Sequence, residues 1–158
     1  MGARLIRGGA TIILLLLALV GSRVSAGAPP VDATGSPPLI QPADLVKLLQ
    51  ASASARPLIL QVGFRTLYEQ AHIPGSEYIG PSSEGQGLRT LHKRVQALPR
   101  ARSIVLYCGC CPWSHCPNVR PAYQELRAMG FRNVRLLYIA HNFGTDWVDK
   151  GYPVTRSE

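Results

Sequence analysis

The sequence predicts an α/β fold with a central, mostly parallel sheet flanked by helices. Two observations point to a parallel sheet. The runs PLILQV (Pro57 to Val62), SIVLY (Ser103 to Tyr107) and VRLLYI (Val134 to Ile139) are continuously apolar rather than alternating, as strands covered on both faces are. Segments with helical spacing fall between them, so strands and helices alternate along the chain. A third observation fixes the scale. The chain has 158 residues, 46% hydrophobic and 16% charged, which suits one domain with a modest core and excludes a disordered tail or a charge-driven coiled coil.

In chain order, residues 1–26 read as a Sec-type signal peptide. Arg4 and Arg7 precede an apolar run from Ala10 to Val20, and Val24-Ser25-Ala26 supplies small residues at alternate positions, so cleavage is expected after Ala26. The run is short for a membrane span, which needs about 20 residues. No cysteine follows it, so a lipid anchor has no support. The alternative is a leader kept as an anchor. The expectation is a periplasmic or secreted protein with no stable membrane insertion after cleavage.

Residues 27–38 (GAPPVDATGSPP) form a Pro/Gly/Ser-rich linker with little to bury. The folded domain is expected over residues 39–155. Gln41 to Gln50 reads as a short helix, with Pro42 tolerated in its first turn and Leu45, Leu48 and Leu49 on one face. The strand at Pro57 to Val62 comes next. A helix over Arg65 to Ala71, a turn over His72 to Ser76 and a short strand at Tyr78-Ile79 come after it. Gly87 to Leu98 places Leu88, Leu91, Val95 and Leu98 at helical spacing. The second buried strand leads to a helix over Asn118 to Met129, stopped by Gly130. The third strand and a short helix over Asp146 to Lys150 complete the domain.

The formal net charge of +8 overstates the basicity of the folded part, because Arg4, Arg7 and Arg23 lie in the leader. No Lys/Arg run with interleaved aromatics occurs, so nucleic acid is not an expected partner. A mildly positive surface suits a small anionic substrate.

All 4 cysteines lie in one window, Cys108, Cys110, Cys111 and Cys116, within YCGCCPWSHCPNVR. This window links a buried strand to a helix, the end of a parallel sheet where α/β proteins build their sites. The helix starting near Asn118 aims free N–H groups and its positive dipole end at the loop, a field that lowers thiol pKa values and attracts anions. Cys108, directly after the strand, is the thiol best fixed by the scaffold. Arg120 in the first helical turn and His115 in the loop are candidate substrate-binding residues.

Four chemistries fit the cluster. Structural disulfides suit an exported protein, but loops this small gain little by chain entropy. A zinc or soft copper site would use Cys108, Cys110, Cys111, Cys116 and His115, although the spacing is not that of paired C-x-x-C modules. Cys108 and Cys111 have the C-x-x-C spacing of a dithiol redox site. A single thiolate carrying sulfur is the fourth. Spacing alone leaves the last three open.

Three segments together resemble the single-domain rhodaneses, the sulfurtransferase family. LILQVGFRTLYEQAHIPGSEYI (Leu58 to Ile79) resembles the family's strand with D-V-R, E-Y and G-H-I-P-G-A, with Val62, Tyr68, His72, Ile73, Pro74 and Gly75 in register. SIVLYC and AYQELRAMGF, within Ser103 to Phe131, resemble V-V-Y-C and A-A-x-x-L-x-x-x-G-F. WVDKGYPV (Trp147 to Val154) matches W-x-x-x-G-x-P-V.

The resemblance implies a rhodanese-like α/β fold with Cys108 as nucleophile. Its thiolate would take sulfane sulfur from thiosulfate or a persulfide and pass it, as a cysteine persulfide, to cyanide or a thiol. The implied partners are a small anionic sulfur donor and a thiol protein acceptor. No cofactor is implied.

Several positions depart from the family. Gln61 and Gly63 replace the usual Asp and Arg, removing an ion pair, and Asn142-Phe143 stands where Gly-Gly is common. The loop after Cys108 is longer than usual, and Ser114 rather than Arg stands six positions on, unlike the C-x5-R of the related cell-cycle phosphatases. The longer loop adds Cys110, Cys111 and Cys116 as candidate resolving thiols, any of which could displace hydrosulfide from a Cys108 persulfide. Outside the loop, His72 is expected to be a satisfied turn residue, Trp147 core and His92 solvated. Trp113 either covers the site or packs the loop, and His141 and Asn142 follow a strand end.

Overall fold

A computed structural model describes Gly2 and residues 36–157, so the leader and most of the linker lie outside the described residues. Five strands form one all-parallel sheet: β1 (Leu39–Ile40), β2 (Leu58–Gln61), β3 (Glu77–Tyr78), β4 (Ile104–Tyr107) and β5 (Val134–Leu137). Their order across the sheet is β1-β5-β4-β2-β3. The helices are α1 (Pro42–Leu49), α2 (Arg65–Gln70), α3 (Gly85–Val95) and α4 (Val119–Ala128). A 3-10 turn spans Trp113–His115, and a π-helical turn spans Gly144–Val148.

The three long apolar runs became the three central strands because both of their faces are covered. One face packs Leu58, Leu60, Ile104, Leu106 and Leu136 against Leu91 and Val95 of α3 and Ala122 and Leu126 of α4. The other packs Ile59, Val105, Tyr107 and Leu137 against Leu45 of α1 and Trp147 of the π-helical turn. Alternation along β4 is therefore the device that sends successive side chains to opposite cores.

The sequence expectations hold for the helices to within a few residues. β1 and the 3-10 turn carry no periodic signal, being two and three residues long. The final short helix, expected over Asp146 to Lys150, is instead the π-helical turn at Gly144–Val148. It begins earlier because the amide of Thr145 donates to Asn142 Oδ1 at 2.9 Å and that of Asp146 to Asn142 O at 2.9 Å. α4 ends at Ala128, and the chain turns away at Gly130, whose φ of 89° is accessible to a residue without Cβ.

His72 behaves as a turn residue. It stacks on Tyr68 with centroids 3.9 Å apart, its Nδ1 meets Tyr68 O at 2.7 Å, and its backbone pairs with Thr155. Trp147 is fully buried core and donates Nε1–H to Pro153 O at 2.8 Å. His92 is exposed and contacts Glu125 at 3.0 Å. No helix among the described residues is long and apolar enough to cross a membrane.

Candidate functional site

Cys108 comes directly after β4, at the carboxyl end of the sheet. Tyr107 turns into one core and Cys108 into the other. Tyr107 is anchored there, with its hydroxyl 3.1 Å from Ser76 Oγ and accepting the Ile73 amide at 3.3 Å. Burial pushes its phenol well above the ordinary range. The Cys108 backbone is anchored as well. Gln61 Nε2 donates to Cys108 O at 3.0 Å, and Gln61 Oε1 accepts the Gly63 amide at 3.2 Å. Gln61 thus takes up with neutral hydrogen bonds a position whose family carboxylate would make an ion pair.

Gly63 is required at its position. A Cβ there would lie 2.6 Å from Cys108 Sγ and 2.9 Å from Cys108 O, inside contact distance for both. The family's arginine could not occupy this place with Cys108 in its observed rotamer. The departures at positions 61 and 63 therefore belong to one arrangement around the cysteine.

The loop folds back on itself. The Trp113 amide donates to Ile139 O at 2.9 Å, and the Phe143 amide to Gly109 O at 3.0 Å, tying it to the segment after β5. This gathers the sulfurs. Cys110 Sγ lies 3.2 Å from Cys108 Sγ and 3.1 Å from Cys111 Sγ, and the sulfurs of Cys108, Cys110 and Cys116 all lie within 4.8 Å of one another. The four cysteines are free thiols. Trp113 is half-buried and packs the narrow void beside Cys111 and Cys116, so it packs the loop rather than covering the cleft.

Asn118, which the sequence offered only as a helix start, belongs to the site. Its side chain does not cap α4. Instead Nδ2 donates to Cys108 Sγ at 3.4 Å, and Oδ1 accepts the Ser83 amide at 2.9 Å. An Asn in the position before a helix is usually spent on a cap, so the sequence offered no signal for this role.

The helix-end field expected at the loop falls mainly on Cys116. The longer loop brings Cys116 to the start of α4. There the Cys108 thiol as donor, and the amides of Asn118 and Val119, hold its pKa down to about 6 against the opposing effect of burial. Cys108 is its complement. The hydrogen bond to Cys116 and then burial push its thiol up, with the Cys110 amide pulling the other way. Of the pair, Cys116 is the more readily ionised and Cys108 the one that holds its proton more tightly. Burial first, and then Cys110 and Cys116, push Cys111 up.

A cleft of about 460 Å3 opens at this end of the sheet, with Gln61, Leu67, Tyr107, Cys108, Cys110 and Phe143 among its walls. Cys108 is 3% exposed, and it is the thiol that both lines the cleft and borders the void holding Cys116. Asn142 lines the cleft and His141 does not. Among the described residues no Lys, Arg, Asp or Glu lines it. His115 and Arg120, the expected substrate-binding residues, are both exposed and outside the cleft, and His115 Nδ1 instead meets Ser114 Oγ at 2.9 Å. For the metal alternative, Cys108, Cys110 and Cys116 are brought together, and Cys111 and His115 are not in that group.

Known folds carry the same architecture. A protein from Bacillus halodurans superposes with a TM-score of 0.58 at 20% identity, over 76% of this chain and 77% of that one. The thiosulfate sulfurtransferase of Pseudomonas aeruginosa gives 0.57 at 22% identity, over 81% of this chain but 22% of that one. A single-domain sulfurtransferase from Saccharomyces cerevisiae gives 0.55 at 17% identity, over 75% of this chain and 97% of that one. No curated protein sequence matches the chain. The sequence profile of the rhodanese-like domain matches residues 41–138, from the start of α1 to just past β5 and across the whole cysteine loop. The chain belongs to the rhodanese-like domain family.

Proposed function

We propose that the protein is a sulfurtransferase that carries sulfane sulfur as a persulfide on Cys108, from thiosulfate or a persulfide donor to a thiol or cyanide acceptor. The supporting observation is the place of Cys108: at the end of β4, against the cleft on one side and the Cys116 thiolate on the other. A donor entering the cleft presents its sulfane sulfur to Cys108. The Cys108 proton passes to Cys116 as the Cys108–sulfur bond forms, and the bond from the sulfane sulfur to the rest of the donor breaks. The donor remnant, sulfite or a thiolate, leaves with the electron pair. Asn118 Nδ2 and the Cys110 amide face the charge that develops on Cys108 Sγ.

The uncharged lining favours a persulfide borne on a small thiol over the thiosulfate dianion, because no side-chain cation in the cleft offsets desolvation of two charges. Mass spectrometry after exposure to either donor tests the reading. The expected result is one added sulfur atom on Cys108. Normal sulfur transfer by Cys108→Ser would overturn it.

A second reading rests on the three sulfurs within 4.8 Å, a spacing compatible with a soft thiophilic ion such as monovalent copper, or with zinc. Metal analysis of protein purified without added metal separates the two, since a tightly held stoichiometric ion would occupy the thiolates needed for sulfur transfer. Export through the leader is likewise a proposal, and N-terminal sequencing of the exported protein should begin at Gly27.

A further inference from the structure

We propose that Cys116 resolves the Cys108 persulfide internally, so that the protein releases the carried sulfur as hydrosulfide and is left with a Cys108–Cys116 disulfide. This rests on the sulfurtransferase reading and assigns the fate of the sulfur once the first half-reaction has loaded it.

The geometry selects Cys116 from the three extra thiols. Its sulfur lies within 4.8 Å of Cys108 Sγ. It borders the narrow void that Cys108 shares with Trp113, Val119 and Ile139, and it does not line the cleft. A persulfide's outer sulfur has room only in the cleft. Attack on Cys108 Sγ by Cys116 then comes from the void and not from the cleft into which the outer sulfur leaves. Cys110 lines the cleft on the leaving sulfur's side, and closing a ring with Cys108 across the single residue Gly109 would be strained. Cys111 borders the same void, but its sulfur is not in the group within 4.8 Å that holds Cys108 and Cys116, and it contacts Cys110 at 3.1 Å.

The electron and proton count closes. After sulfur capture, Cys108 carries S–S⁻ and Cys116 holds the proton it received. Cys116 sulfur bonds to Cys108 Sγ, the bond to the outer sulfur breaks, and the outer sulfur leaves with that electron pair and the Cys116 proton as HS⁻. The sulfane sulfur is reduced by two electrons, and the two cysteine sulfurs are together oxidised by two. A dithiol reductant, entering by the cleft and attacking Cys108, returns both thiols for another cycle.

The test uses the purified protein reduced with a phosphine, freed of it, and given thiosulfate with no added thiol. Wild type should release one hydrosulfide per chain, end two hydrogens lighter than the reduced chain, and yield a Cys108–Cys116 linked peptide. Cys116→Ser lacks the proton acceptor and should load more slowly, but once loaded it should keep the added sulfur on Cys108 and release no hydrosulfide, and Cys111→Ser should match wild type. A wild-type chain that stores a stable Cys108 persulfide overturns the inference and leaves the sulfurtransferase reading standing. A Cys108–Cys110 linked peptide in wild type also overturns it, and this readout does not depend on any variant folding. If neither wild type nor Cys116→Ser acquires sulfur, from thiosulfate or from a small-thiol persulfide, the sulfurtransferase reading falls, and the inference with it.

Discussion

A methyl group on Gly63 would sit 2.6 Å from Cys108 Sγ, closer than any unstrained contact. The bareness of the glycine is what lets the cysteine sulfur lie against the β2 end. Gly63→Ala is therefore expected to destabilise the fold by about 1–3 kcal/mol, the usual cost of overpacking a tight site. It should also displace Cys108 and cut its sulfur loading. Urea denaturation and mass-spectrometric loading measure the two effects separately. A fully stable alanine variant that loads sulfur at the wild-type rate would contradict the placement.

Asn118 joins the Ser83 amide to Cys108 Sγ. Asn118→Ala removes the acceptor of the part-buried Ser83 amide and should cost about 0.5–1.5 kcal/mol. Because Nδ2 also faces the charge that develops on Cys108, the rate of sulfur loading should fall. Asn118→Asp keeps the acceptor for Ser83 but sets a carboxylate against the thiolate. Buried charge beside the thiols should leave it no more stable than the alanine variant, and it should load no faster. Equal loading by wild type and both variants would show that Asn118 merely holds the loop.

The paired shifts at Cys108 and Cys116 give stability a pH profile. Cys116 ionises at about 6 in the fold against 9.0 for an ordinary thiol. Its contribution is present in full above pH 9 and fades as pH falls to 6. Cys108 is held up, so above pH 9.0 the unfolded chain ionises this thiol while the folded one does not, and stability declines again. Denaturation midpoints should rise from pH 6 to 9, then drop, and Cys116→Ser should flatten the rise. The ultraviolet absorbance of the thiolate should show a step near pH 6 that this variant lacks.

Trp147 separates fold from chemistry. It is fully buried, lies near Phe143 with centroids 5.8 Å apart, and hydrogen-bonds Pro153. Trp147→Ala should cost about 3–5 kcal/mol. Phe143 walls the cleft, so the loss should also loosen that wall. The expected signature is a large fall in denaturation midpoint with the Cys108 adduct still formed at low temperature.

The sheet was legible because its three central strands are buried on both faces and must be written as unbroken apolar runs. β1 was not, since two residues cannot show a period. The position of Cys108 was legible from its place after SIVLY and from the family frame. What the sequence could not show is which thiol meets the start of α4. That depends on the loop folding back through the Trp113 and Phe143 amide bonds, which are backbone contacts without a side-chain signature. The same folding brings Cys116 to the helix end, while the side chains of Arg120 and His115 remain in solvent. The roles of Gln61 and Gly63 were visible only as losses from the family pattern, because their compensation is a matter of distance rather than residue type.

Gln61 holds the Cys108 carbonyl and the Gly63 amide with one uncharged side chain. A carboxylate strut lets go when acid protonates it and weakens when salt shields it; an amide does neither. The scaffold under the reactive sulfur should therefore keep its shape in acidic or briny surroundings, leaving the thiols themselves as the part of the site that feels the medium.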